Sequence, residues 1–147
     1  MNYEEVFMLK KILVATDASE YSRRALKTAL ELARKFDAEV ELLFVMRMPV
    51  VYDSSLYTYT ILPEQLEQEG ESALKATLEG IDISDVTLIK KKIHGKPADI
   101  ILEEVQNENI DLIVMGSHGY GAIAGSLLGS VSQHVLHGTK CSVLIVK

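Results

Sequence analysis

Short runs of branched apolar residues alternate with longer amphipathic stretches from residue 10 to the end of the chain, and this alternation is the strongest constraint on the fold. "KKILVAT" at 10–16 is followed by "TDASEYSRRALKTALELARKF", whose apolar positions Ala25, Leu26, Ala29, Leu30 and Ala33 recur at helical spacing. Asp17 or Ser19 can cap that helix, and Glu20 complements its dipole. The next strand, "EVELLFVM", begins at about Glu39. Strand, helix and strand in so short a span form a βαβ unit. "RMPVVYDSSLYTYTIL" at 47–62 has no clean period and reads as a long excursion, after which a helix starts near Pro63 and ends at Gly80.

A third strand, "VTLIKKKIH" at 86–94, carries three successive lysines and suits a solvent-facing sheet edge. Gly95 and Pro97 open a helix whose buried face is expected from Ile100, Ile101, Leu102 and Val105. "DLIVMG" is apolar on both sides, as a central parallel strand should be. A last helix, "SVSQHVLHG", and a last strand, "SVLIVK", close the chain. This order implies a doubly wound, Rossmann-like α/β domain spanning residues 1–147, with a five-stranded parallel sheet in the order 3-2-1-4-5. Its switch point lies between the first and fourth strands, where ligands bind beyond the carboxyl ends.

Those ends are Thr16-Asp17 and Met115-Gly116, and the second opens "MGSHGYGAIAGSLLGSVS", eighteen positions with five glycines and four serines. After Asp111 the chain has no Asp or Glu, although the net charge is −6. An acidic protein has kept the segment at its crevice free of negative charge, which fits either chance with a mostly buried C-terminus or an anion bound there. The overall acidity argues against nucleic acid as a partner. No run is long enough to span a membrane, and the start "MNYEEVFMLKK" lacks the basic region of a signal peptide, so the expected location is cytoplasmic. The single cysteine, Cys141, rules out an internal disulfide framework and fits a small core residue.

Three phosphate motifs can be compared with the stretch. A Walker A loop fails, because no glycine in it precedes lysine in the required frame. "GYGAIA" at 119–124 satisfies the dinucleotide fingerprint, but it lies far from the first βαβ unit and lacks an acid about 20 residues on. What remains is Gly116-x-x-Gly119, nine residues, then Gly129-Ser130. Gly116 and Gly119 let the backbone approach a phosphate chain and are expected to reach positive φ, so that successive N–H groups converge. Gly129-Ser130 opens a helix whose N-terminal amides favour an anion, with the hydroxyls of Ser130 and Ser132 as further donors and His118 as a candidate donor nearby.

The glycine pattern after "DLIVMG" resembles the ATP-binding signature of the universal stress protein family. "KKILVATDASE", "HGKPADIILEE", "GSVSQHVL" and "SVLIVK" match the family at ordered positions, so the resemblance covers nearly the whole chain. It implies a five-stranded parallel α/β fold, homodimers and ATP binding. Carried over residue by residue, it places Ala15, Thr16 and Asp17 on the adenine and ribose side, Val45 and Met115 against the base, and Gly116, Gly119, Gly129, Ser130, Val131 and Ser132 around the phosphates.

Tyr120 stands where many members carry Arg or Lys, and Ser142 where many carry proline. Phosphate binding is then expected to be modest, or to depend on Mg²⁺ or Mn²⁺ bridging the phosphates and Ser130. With no Asp, Glu, Lys, Arg or Gln in the loop nearer than Gln133, fast hydrolysis is not expected. The preferred reading is a homodimeric ATP-binding regulatory or interaction module that pairs through the exposed edge of "SVLIVK". The alternative is a slow ATPase or nucleotide-transfer enzyme. His134 and His137 lack the company that zinc requires.

Overall fold

The computed structural model describes residues 8–47 and 63–147. In chain order the elements are β1 (Lys11–Thr16), α1 (Glu20–Phe36), β2 (Glu39–Met46), α2 (Pro63–Leu78), β3 (Leu88–His94), α3 (Pro97–Asn107), β4 (Leu112–Gly116), α4 (Ser130–Gly138) and β5 (Ser142–Val146). Apart from Arg47, the excursion expected at 47–62 lies outside the described residues. The strands form one parallel sheet in the order β3-β2-β1-β4-β5.

Two apolar clusters fix the layers. Ile12, Val14, Val40 and Leu42 pack with Leu26 and Leu30 of α1 and Leu74 of α2 on one face. Leu13, Leu43, Ile113 and Met115 pack with Ile101 of α3 and Val135 of α4 on the other. Alternate residues of each central strand therefore enter opposite clusters, which is why "ILVA" and "LIVM" read as unbroken apolar runs. Each fully buried Leu or Ile contributes about 1.5–3 kcal/mol of transfer free energy, so these clusters hold the carboxyl ends of β1 and β4 on a rigid base. α1 is capped by Ser19, whose Oγ accepts from the Ser22 amide at 3.3 Å, and it ends at Asp37 in the left-handed region with φ 55°.

The α3 side carries a charged exception. Glu41 is completely buried and neither of its carboxyl oxygens accepts a well-directed hydrogen bond. Lys91 Nζ stands 3.2 Å from it and Lys11 Nζ 3.8 Å. Lys91 also reaches Glu104 at 2.8 Å and Glu108 at 3.2 Å, and Lys11 reaches Glu39 at 3.3 Å and Glu108 at 3.0 Å. Burial, reinforced by the neighbouring Glu104, pushes Glu41 up to about 7 against the pull of Lys91. Burial opposes the charge on Lys91, but its bonds to Glu104, Glu41 and Glu108 outweigh that and hold it above the ordinary lysine range. Lys91 thus turns inward from a strand whose lysines suggested a solvent-facing edge. Glu104, absent from the expected buried face of α3, is buried with it.

Candidate functional site

Beyond the carboxyl ends of β1, β2 and β4 lies a cavity of about 510 Å³. All eleven residues singled out from the sequence line it: Ala15, Thr16, Asp17, Val45, Met115, Gly116, Gly119, Gly129, Ser130, Val131 and Ser132. Leu43, Val45, Ile101 and Met115 make one part apolar, whereas the β4 to α4 connection makes the other part a wall of Gly, Ala and Ser backbone with His118, Tyr120, Ile123 and Leu128 among them.

The amide wall is tied down at both ends. The Ser117 amide donates to Val146 O at 2.8 Å, the Gly129 amide to Ser117 O at 2.7 Å, and Ser132 Oγ to Gly116 O at 2.8 Å. The Ser132 hydroxyl, expected to face a phosphate, instead joins β4 to α4. Gly129 is the N-cap of α4 and has no side chain to satisfy the first-turn amides of Ser130, Val131 and Ser132. An anion placed there would meet those amides and the positive end of the helix dipole.

Gly116 and Gly119 do not take positive φ; among the described glycines Gly80, Gly95 and Gly125 do. Close approach is what requires them. A Cβ on Gly116 would lie 2.7 Å from Tyr21 Cβ, and one on Gly119 would overlap Asp17 Oδ2. Asp17 in turn spans the crevice, with Oδ1 accepting from the Ser19 amide at 2.9 Å and Oδ2 from the Tyr120 amide at 3.1 Å. Tyr120 Oη adds a bond to Ala18 O at 2.9 Å, so the loop after β4 is clasped to the turn after β1. Ala18 sits in the left-handed region at φ 65°, a conformation that costs an alanine about 1 kcal/mol and is held here by its neighbours.

Two side chains face away from the role the sequence offered. The Thr16 hydroxyl lies 3.0 Å from Ser22 Oγ and 2.8 Å from Thr77 Oγ1, inside a buried hydroxyl cluster, so Thr16 gives the cavity mainly its backbone. His118 Nε2 is 2.8 Å from Ser126 O, which can only accept, so that nitrogen carries the proton, and Nδ1 at 3.0 Å from Ser117 Oγ accepts. Neutral His118 therefore has no N–H left for a phosphate.

Sequence reasoning missed Pro97 and Ile101 of α3, Glu69 of α2 and, above all, Arg47, which is the one Lys or Arg among the described lining residues. Arg47 follows the last residue of β2 and opens an aperiodic stretch, so no spacing signal pointed to it. Among the described residues no group of three or more His, Cys, Asp or Glu could hold a metal ion, and no helix is long and apolar enough to cross a membrane. His134 Nε2 lies 3.9 Å from Asp99.

The model of the universal stress protein family matches residues 8–147. The chain belongs to the universal stress protein family. Universal stress protein MJ0531 of Methanocaldococcus jannaschii is 36% identical over 141 residues, covering 95% of this chain and 83% of that one. Among solved structures, the universal stress protein UspA from Lactobacillus plantarum superposes with a TM-score of 0.81 at 25% identity, covering 95% of this chain and 98% of that chain. A universal stress protein in complex with cAMP gives a TM-score of 0.71 at 25% identity, covering 95% of this chain and 98% of that chain. The strand order 3-2-1-4-5 agrees with the α/β fold of the family.

Proposed function

We propose that this universal stress protein binds an adenine nucleotide, ATP in the first instance, in the cavity between β1 and β4. It would then act as a nucleotide-dependent regulatory or interaction module in a cytoplasmic stress response, as one domain over residues 1–147. The observation that carries this reading is the uncapped, acid-free N-terminus of α4 facing an apolar slot of nucleotide size. The base would lie against Leu43, Val45, Ile101 and Met115, the ribose near Ala15 to Asp17, and the phosphates on the amides of Gly119 and of Ser130 to Ser132. The cAMP complex of a structural relative supports a nucleotide as the ligand class. Mg²⁺ or Mn²⁺ fits as an ion that enters with the phosphates, since only Ser130 in this wall offers a free hydroxyl. Such an ion would neutralise phosphate charge in a loop that has no cation of its own.

Efficient hydrolysis is not part of the proposal. Asp17 is engaged by two amides, both ring nitrogens of His118 are engaged by Ser117 Oγ and Ser126 O, and no other side chain of the wall near α4 is able to deprotonate water. The proposed dimer forms through β5, which ends the sheet and leaves Leu144 37% exposed along its outer edge. Denaturing the purified protein and analysing the supernatant is expected to release adenine nucleotide. An empty supernatant together with no ATP affinity in added Mg²⁺ would refute the binding reading, and a 16 kDa species alone on gel filtration would refute the dimer.

A further inference from the structure

Arg47 leaves the sheet directly after β2, two residues beyond Val45, and so shares the face that carries Leu43 and Val45. It lines the cavity, is exposed, and makes no hydrogen bond or ion pair with the described residues. Other arginines of the chain are held in place: Arg23 by three carbonyls of the α2 end, and Arg34 by Asp85. β2 is separated from β4 by β1, so Arg47 stands about 10 Å across the sheet from the amide wall. The apolar slot for a base lies between the two.

We propose that Arg47 is a specificity contact at the base end, through which this cavity accepts 6-oxopurine (guanine-type) nucleotides alongside adenine nucleotides. The inference rests on the nucleotide reading above. A guanidinium carries five donors and no acceptor, so it selects a base edge with paired acceptors. Guanine offers O6 and N7 side by side, whereas adenine places the N6 donor beside N7. In the nucleotide reading Asp17 stands beside the ribose, where it accepts from the amides of Ser19 and Tyr120. Glu69, on the same rim, is an acceptor for the ring N–H and amino group that guanine presents on its other edge.

The test is calorimetric titration of the full-length protein with AMP, ATP and GTP in Mg²⁺ at fixed ionic strength, comparing wild type, Arg47→Ala and Arg47→Lys. The affinity for GTP relative to ATP is expected to fall about tenfold in Arg47→Ala and by less in Arg47→Lys, whose ammonium can still donate to O6 and N7 but lacks the rigid planar fork. Unfolding midpoints equal to wild type would exclude a folding defect. An unchanged ratio overturns the inference, as does a loss that grows with phosphate number from AMP to ATP. A wild type that binds ATP but not GTP overturns this inference alone, whereas one that binds neither overturns the nucleotide reading itself.

Discussion

Asp17 Oδ2 accepts the amide hydrogen of Tyr120 at 3.1 Å, linking the turn after β1 to the glycine loop after β4 across 103 residues of sequence. The bond passes directly over Gly119, where a methyl group would overlap the same carboxylate oxygen. The cavity and the clasp that shapes it therefore depend on one missing Cβ. Gly121, two residues on, has nothing within 4 Å of its would-be Cβ and no positive φ.

Replacing Gly119 with alanine is accordingly expected to open the clasp and weaken nucleotide binding about tenfold, a loss of about 1.4 kcal/mol. Gly121→Ala should stay within about twofold of wild type, since it adds a methyl group in open space and removes backbone entropy from the unfolded chain. Titration of both variants with ATP measures the contrast. Equal behaviour of the two would show that the clasp does not shape the site.

Tyr120→Lys tests the absence of charge in the loop. The tyrosine hydroxyl contributes one exposed bond to Ala18 O, no more than about 1 kcal/mol, while a lysine would bring an ammonium beside the phosphate wall. ATP affinity is expected to rise about tenfold at low ionic strength, AMP affinity less, and both gains to shrink as salt is raised. A variant whose ATP affinity is unchanged at low salt would place the phosphates elsewhere.

Most of the fold was legible because its signals are local. The period of "ILVA" and "LIVM" announced strands covered on both faces, and the glycine spacing from Gly116 to Gly129 brought the site residues together once the strand order was known. Partnerships between distant segments were less legible. "EVELLFVM" looks like a strand with its acids turned to solvent, yet Glu41 is buried because β3 and α3 arrive from later in the chain to cover it. Lys91 then follows Glu41 inward. Likewise nothing near Asp17 in sequence announces Tyr120, and Arg47 sits at the edge of an aperiodic stretch where spacing gives no guide.

Arg23 joins α1 to the end of α2 by donating to the carbonyls of Ala76 at 2.6 Å, Thr77 at 3.0 Å and Glu79 at 2.8 Å. These are carbonyls that a helix end leaves without partners, and a cation there also complements the dipole. Arg23→Ala is expected to destabilise the protein by about 2 kcal/mol in urea denaturation, and Arg23→Lys to recover less than half of that, because one ammonium cannot reproduce the fork. Hydrogen exchange should rise first around Thr77, whose hydroxyl touches Thr16 at the cavity floor. Full recovery by lysine would mean that charge alone, without the shape of the guanidinium, secures α2.

Glu41 gives the protein an unusual dependence on pH. An unfolded glutamate releases its proton near 4.5, whereas Glu41 in the fold keeps it up to about 7. Between those values the folded state binds more protons, so this contribution is fully present below 4.5, declines as pH rises through the window and is lost above 7. Half-buried Glu108, held below the ordinary range by Lys11 and Lys91, acts in the opposite sense and favours the fold above the usual carboxylate range. The optimum should therefore lie on the acidic side of neutral. Glu41→Gln removes the burden of a buried charge while keeping the shape of the side chain. At pH 8 the variant is expected to exceed wild type by on the order of 1–3 kcal/mol, and near pH 5 to match it. Urea midpoints at the two pH values, with unchanged denaturant slopes, measure this difference. A variant less stable than wild type at pH 8 would show that the attraction between Glu41 and Lys91 outweighs the cost of burying the carboxylate.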